Sequence, residues 1–253
     1  MILLAAALTA IPAGTIESGG VPVDPQEMIS SLAEADVVFI GETHDDPLAH
    51  EWELYIWQEL ASDSRALALE MFETDVQGLL NSYLAGEVSQ EEFLAGSRPW
   101  GNYSSDYAPL VQTAIEKGAH VIAANVPRRF AAMVASGGWE ALAEEDFFHE
   151  LKVDSSSAFY RSRFLETMEM MGGAMHSMPM DPHNMYRAQL LKDAVMANSI
   201  RGISCFFVCG SFHSDNHSGI LDQIDEDVSV LTVSVVPEGG ENGRNLADFV
   251  ISR

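Results

Sequence analysis

Five short apolar runs, at residues 37–40, 66–69, 119–124, 205–209 and 229–236, alternate with longer segments of helical periodicity. This alternation constrains the fold most, because short apolar runs bounded by turn signals read as strands buried on both faces. Strands separated by helices predict an α/β fold, with a mainly parallel central sheet flanked by helices and an added helical lid segment. Residues 47–60 begin with Pro at a first helical turn, and residues 107–116 stop at Lys117-Gly118, as helices do. Two more helices are expected between 155 and 198, separated by Gly172-Gly173 and the Pro-bearing stretch 178–182. No repeat and no long linker divides the chain, so residues 24–253 read as one domain.

The composition suits such a core: 253 residues, 47% of them hydrophobic, can bury a large apolar interior. Thirteen Lys and Arg against 38 Asp and Glu give a formal charge of −25, a field that repels phosphate backbones and argues against nucleic acid as a partner. Residues 1–13 have the length of a signal-peptide core and are too short to span a bilayer. The basic flank of such a leader is missing, since no Lys or Arg precedes Arg65. The expectation is a periplasmic or secreted protein whose mature form begins near Gly14. No Cys follows the run, so lipid attachment at such a Cys is not expected. Cys205 and Cys209 stand four residues apart in an apolar run. About 13 Å of strand separates them, beyond the roughly 7 Å reach of a disulfide, so they read as two small core residues.

Four predicted strands end in polar groups: Gly41-Glu-Thr-His44, Glu70, Asn125 with Arg128, and Gly210-Ser-Phe-His213. Ligands of open parallel sheets bind at that edge. Glycine at a strand exit permits close backbone approach, and a His three residues on can turn back over the sheet. His44 and His213 are therefore candidate metal or haem ligands, or general bases, with Glu42 and Glu70 beside them. Glu42 could instead fix the tautomer of a His. Two hydrogen-bonded loop histidines are the plainer alternative. In Ser214-Asp-Asn-His217 the Asp reads as a helix N-cap and the His as a first-turn residue. His50, one turn from Asp46, reads as surface polar, and His120 and His149 have no supporting context.

Residues 168–185 hold seven Met and two His, His176 and His183. Such a tract is a flap packed on the core, an adaptable apolar lid over a flat ligand, or a soft-metal site.

Six ordered motifs carry a resemblance: Val38-Phe-Ile-Gly-Glu-Thr-His44; Leu69-Glu-Met-Phe-Glu73 with Gln77; Tyr107-Ala-Pro-Leu110; Val121-Ile-Ala-Ala-Asn-Val-Pro-Arg128; Tyr186-Arg-Ala-Gln-Leu-Leu-Lys-Asp193 with Met196-Ala197; and Gly210-Ser-Phe-His213. Together they resemble the ChaN family over residues 35–236, within a superfamily that includes Tiki and TraB proteins and erythromycin esterases. The resemblance implies a periplasmic or outer-membrane-associated haem-binding protein with a part in iron acquisition. It implies haem as cofactor, with Glu42, His44, Glu70, Arg128, His176 and His213 as pocket residues. Tyr103, Tyr107, His176 and several methionines are eligible axial ligands, and Arg128, Arg129 and Arg187 are candidate propionate partners. The alternative is a divalent metal ion held by His44 and His213, in a metal- or His/Glu-dependent hydrolase of the esterase or Tiki type with Glu42 or Glu70 as base. A third reading is a binding module without chemistry. No catalytic residue is assigned. A homodimer and an outer-membrane uptake partner are the associations expected.

Overall fold

Each of the five apolar runs forms a strand. The structure is a computed structural model that describes residues 10–175, 181–237 and 245–253, with backbone alone for 171–175. The strands are β1 (Thr15–Ser18), β2 (Val21–Pro22), β3 (Val37–Glu42), β4 (Ala66–Glu73), β5 (Val121–Asn125), β6 (Cys205–Gly210), β7 (Val230–Val235) and β8 (Phe249–Ser252). They form one sheet in the order β2-β1-β8-β7-β3-β6-β4-β5. From β8 to β5 every pairing is parallel, and β1 and β2 add antiparallel at the far edge. The sequence reading missed β1, β2 and β8, which are only two to four residues long and lie together at one side of the sheet. A two-residue Gly19-Gly20 turn, with both φ positive, joins β1 to β2 in the manner only glycine adopts without strain.

The α-helices are α1 (Pro25–Glu34), α2 (Pro47–Leu60), α3 (Gln77–Leu84), α4 (Gln90–Ser97), α5 (Ala108–Lys117), α6 (Arg128–Gly137), α7 (Asp146–Glu150), α8 (Ala158–Met175) and α9 (Pro182–Ser199). Three start identically: Asp24, Asp46 and Asp181 cap α1, α2 and α9 through the side chain, each followed by Pro. The Asp satisfies a free helical N–H, and Pro removes one that would lack a partner. Gly118 ends α5 in the left-handed region. Helix α8 runs through Gly172-Gly173, where a break was expected. Glycine costs a helix about 1 kcal/mol per residue, and Tyr160 and Phe164 anchor α8 against Tyr186 and Leu190 of α9.

Side-chain alternation divides the core. Val38, Ile40, Phe206 and Val208 face one layer with α1, α2 and α5. Val37, Phe39, Cys205, Phe207 and Cys209 face the other, with Met196, Ala197 and Ile200. Both cysteines are free and buried. No helix among the described residues is long and apolar enough to cross a membrane.

Candidate functional site

Adjacent parallel strands β3 and β6 pair with Gly41 opposite Cys209 and Glu42 opposite Gly210. This register brings both G-x-x-H turns out side by side at the carboxyl edge of the sheet. The glycines are closely packed there. A Cβ on Gly41 would stand 2.8 Å from Ser214 Oγ and 3.0 Å from Ser211 Cα, and one on Gly210 would stand 2.9 Å from Cε1 of His44.

His44 is the open member of the pair, with 47% of its side chain exposed. Its Nδ1 lies 2.8 Å from Oε1 of buried Glu42, which also accepts a 2.6 Å hydrogen bond from the Tyr107 hydroxyl. The backbone carbonyl of His44 accepts from Asn102 Nδ2 at 2.8 Å, and Trp100 meets the ring edge-on at 4.3 Å. Partial burial disfavours the charged ring, but the hydrogen bond to Glu42 and the field of Glu70 prevail and raise its pKa. With Nδ1 engaged, the ring presents Nε2 as its remaining donor or acceptor.

His213 is enclosed. Its Nδ1 is hydrogen-bonded to Asp193, and its Nε2 lies 3.3 Å from Glu70 Oε1. Tyr160 donates to the other Asp193 oxygen at 2.8 Å, and Gln189 reaches both Tyr160 and the His213 ring. Glu70 Oε2 accepts the Gly210 N–H at 2.8 Å. Burial alone would lower the His213 pKa, yet Glu70 and Asp193 raise it to about 10. Burial likewise opposes the Glu70 charge, but the His213 ring and the Gly210 N–H hold its carboxyl down at about 2. The ring is thus a buried imidazolium between two carboxylates.

The fold therefore brings Glu42, His44, Glu70 and His213 to one edge. Arg128 stands apart at the start of α6, 72% exposed, its Nε 2.7 Å from Glu73. Arg98 also bonds Glu73, and Arg98 and Arg129 both bond Asp75. His176 lies outside the described residues, as do residues 177–180 of the Met-rich tract. Within that tract Met168 and Met185 pack on the Tyr160–Tyr186 cluster, and Met170 is exposed.

Two expectations are corrected. His50 is buried, not a surface residue, because α2 turns it inward: its Nδ1 is 3.0 Å from Glu53 Oε2 and its Nε2 3.1 Å from the His44 carbonyl. Asp215 caps no α-helix. It opens a single 3₁₀ turn in which Asn216 and His217 have positive φ, and its burial pushes the carboxyl up to about 6. Tyr103 and Tyr107 are both buried, with the Tyr107 hydroxyl committed to Glu42. Asp193, Gln189 and Tyr160 were missed as site residues. The Gln189/Asp193 spacing of one helical turn, polar on an otherwise apolar face of α9, was their signal.

The family model described as haem-binding uptake, Tiki superfamily, ChaN matches residues 28–224. The chain belongs to this ChaN family. Among solved structures, the ChaN of Campylobacter jejuni, described as showing cofacial heme binding, is similar with a TM-score of 0.76 at 18% identity, over 94% of this chain and 96% of that one. At that identity the likeness to the C. jejuni ChaN establishes the fold. The type III effector HopBA1 aligns at a TM-score of 0.48 and 12% identity, over 89% of this chain and 91% of that one. No curated protein matches. As a ChaN-family chain, it carries the family fold with both G-x-x-H turns on neighbouring central strands.

Proposed function

We propose that the chain binds haem at the carboxyl edge of its sheet, offering Nε2 of His44 to the iron, and serves haem uptake or transfer. The observation that carries this reading is the half-exposed His44 ring, fixed through Nδ1 by a buried carboxylate. That arrangement sets the tautomer and raises the basicity of the free nitrogen, as carboxylate partners do for ligating histidines. The donor chemistry fits haem iron, which accepts neutral imidazole. His213 does not fit as a second ligand, since both its nitrogens face buried carboxylates; its part is to hold Glu70 charged beneath the site. Arg128, with most of its side chain exposed, is the candidate partner for a propionate. Bound haem would supply an iron centre whose potential is set by its axial ligands. Family membership supports the reading, and the C. jejuni relative is described as binding heme cofacially.

An absorbance titration of haem-free protein with haemin tests the proposal. A stoichiometric Soret transition is expected, weakened at least about tenfold in His44→Ala. Absence of saturable binding, or an unchanged spectrum and affinity in His44→Ala, rejects it. Periplasmic or secreted placement, with cleavage near Gly14, belongs to the same reading and is checked by fractionation and N-terminal mass spectrometry. So do a homodimer and an outer-membrane uptake partner, checked by sedimentation and by pull-down on membrane fractions. The buried Asp193–His213–Glu70 chain favours one second reading, a His/Glu-dependent hydrolase, tested by ester and peptide turnover with and without divalent metal.

A further inference from the structure

Beneath His44, on the side of the sheet covered by α2, Glu42, His50 and Glu53 bring one ligand atom each within 4.8 Å of one another. All three side chains are at least nine-tenths buried. Among the described residues, Oε2 of Glu42 and Oε1 of Glu53 are buried with no hydrogen-bond partner. Buried oxygens in that state are uncommon and point to an unrecorded proton or ion. We infer that Glu42, His50 and Glu53 form a binding site for one divalent transition-metal ion, distinct from the proposed haem iron although Glu42 also bonds His44.

The distances suit an ion. His50 Nδ1 is 3.4 Å from Glu42 Oε2 and 3.0 Å from Glu53 Oε2. Ligands about 2.1 Å from a shared metal stand about 3 to 3.5 Å from one another. The outer contacts also match a metal site. With Nδ1 as ligand, Nε2–H of His50 donates to the His44 carbonyl at 3.1 Å, with Asp106 Oδ2 3.5 Å away. A ligating His characteristically donates its other ring N–H to such an acceptor. Glu42 is oriented by the Tyr107 hydroxyl on its other oxygen. Tyr107 closes a π-helical turn, Tyr103–Tyr107, a local irregularity found often at functional sites.

Charge is compatible with the same assignment. Two carboxylates and a neutral imidazole need two positive charges for neutrality in this buried place, and one divalent ion supplies them. Without an ion, burial and the neighbouring Glu42 push the Glu53 carboxyl well up, so a proton is the competing occupant. Two carboxylates, one imidazole and no thiolate select borderline ions such as Zn²⁺, Co²⁺, Mn²⁺ or Fe²⁺.

The test uses haem-free, chelator-stripped full chain titrated with Co²⁺ and then Zn²⁺. One equivalent of Co²⁺ per chain is expected, with a ligand-field absorption band that Zn²⁺ displaces. Glu53→Gln keeps the shape and removes one anionic ligand, so it should weaken binding at least about tenfold. His44→Ala should retain one equivalent, which separates this ion from the haem site. The wild-type stoichiometry and Glu53→Gln decide the matter even if His50→Ala does not fold. No saturable equivalent in the wild type leaves the cluster to its proton and overturns the proposal. An equivalent kept in Glu53→Gln but lost in His44→Ala also overturns it, by moving the ion to the sheet edge.

Discussion

Glu70 Oε1 lies 3.3 Å from Nε2 of His213, while Glu70 Oε2 receives the Gly210 N–H, so one carboxylate ties β4 to the second G-x-x-H turn. Its field also reaches His44 on the first turn. The two histidines are therefore linked through Glu70, and they have different surroundings and different proposed duties.

The first prediction separates those duties by stability. His213→Ala leaves Glu70 and Asp193 buried without their cation, and breaking a buried pair in this way costs about 3–5 kcal/mol. The exposed His44→Ala should cost under about 1 kcal/mol. Urea unfolding of the two variants checks this, and equal losses would contradict the enclosed placement of His213. In the haemin titration the two substitutions should couple by roughly 0.5–3 kcal/mol, because residues in one network are not additive.

The second prediction concerns pH. The His213 pKa rises from 6.5 to about 10 on folding, so its stabilisation is complete below pH 6.5 and is lost as pH climbs through 10. The Glu70 pKa falls from 4.5 to about 2, so its stabilisation is complete above pH 4.5 and is lost as pH drops through 2. At about 1.4 kcal/mol per unit, the His213 contribution amounts to a few kcal/mol. The stability difference between wild type and His213→Gln should therefore shrink from pH 6.5 to 10. A difference that stays constant across that range would refute the buried imidazolium.

A third prediction uses the glycines. Gly210→Ala places a methyl group 2.9–3.0 Å from the His44 ring, which must swing away, so haemin affinity should fall about tenfold with little loss of stability. Gly41→Ala instead meets the Ser211 backbone at 3.0 Å. Overpacking against backbone costs about 1–3 kcal/mol. Melting curves and haemin titrations of both variants give the comparison, and the reverse pattern would count against the described packing.

The fourth prediction concerns the thiols. Burial pushes Cys205 up to about 12 and Cys209 higher than its usual range, so neither is a ready thiolate. Both should react with a thiol reagent only at the rate of unfolding. Fast labelling of either in the native protein would disprove their core placement.

The sequence by itself determined the five strands β3 to β7 and the α/β class, because strand-length apolar runs and helical periodicity are local signals. It also determined that Cys205 and Cys209 do not bridge, since strand rise alone keeps them apart. Proline at a first helical turn marked the start of α2. Glycine followed by His three residues on, at the ends of two strands, marked the sheet edge at which the proposed site lies. Only the tertiary structure decided which strands are neighbours, and hence that Glu42 faces Gly210 across β3 and β6. It decided that His44 is open and His213 closed, although both sit in the same four-residue pattern, because Asp193 arrives from α9 and reaches only His213. It turned His50 inward to Glu53, where helical spacing from Asp46 suggested a surface residue. Partners such as Asp193 and His213, 20 residues apart in the chain, or Glu70 and Gly210, 140 apart, leave no periodic trace, since their contact energy depends on packing between elements and not on their order along the sequence.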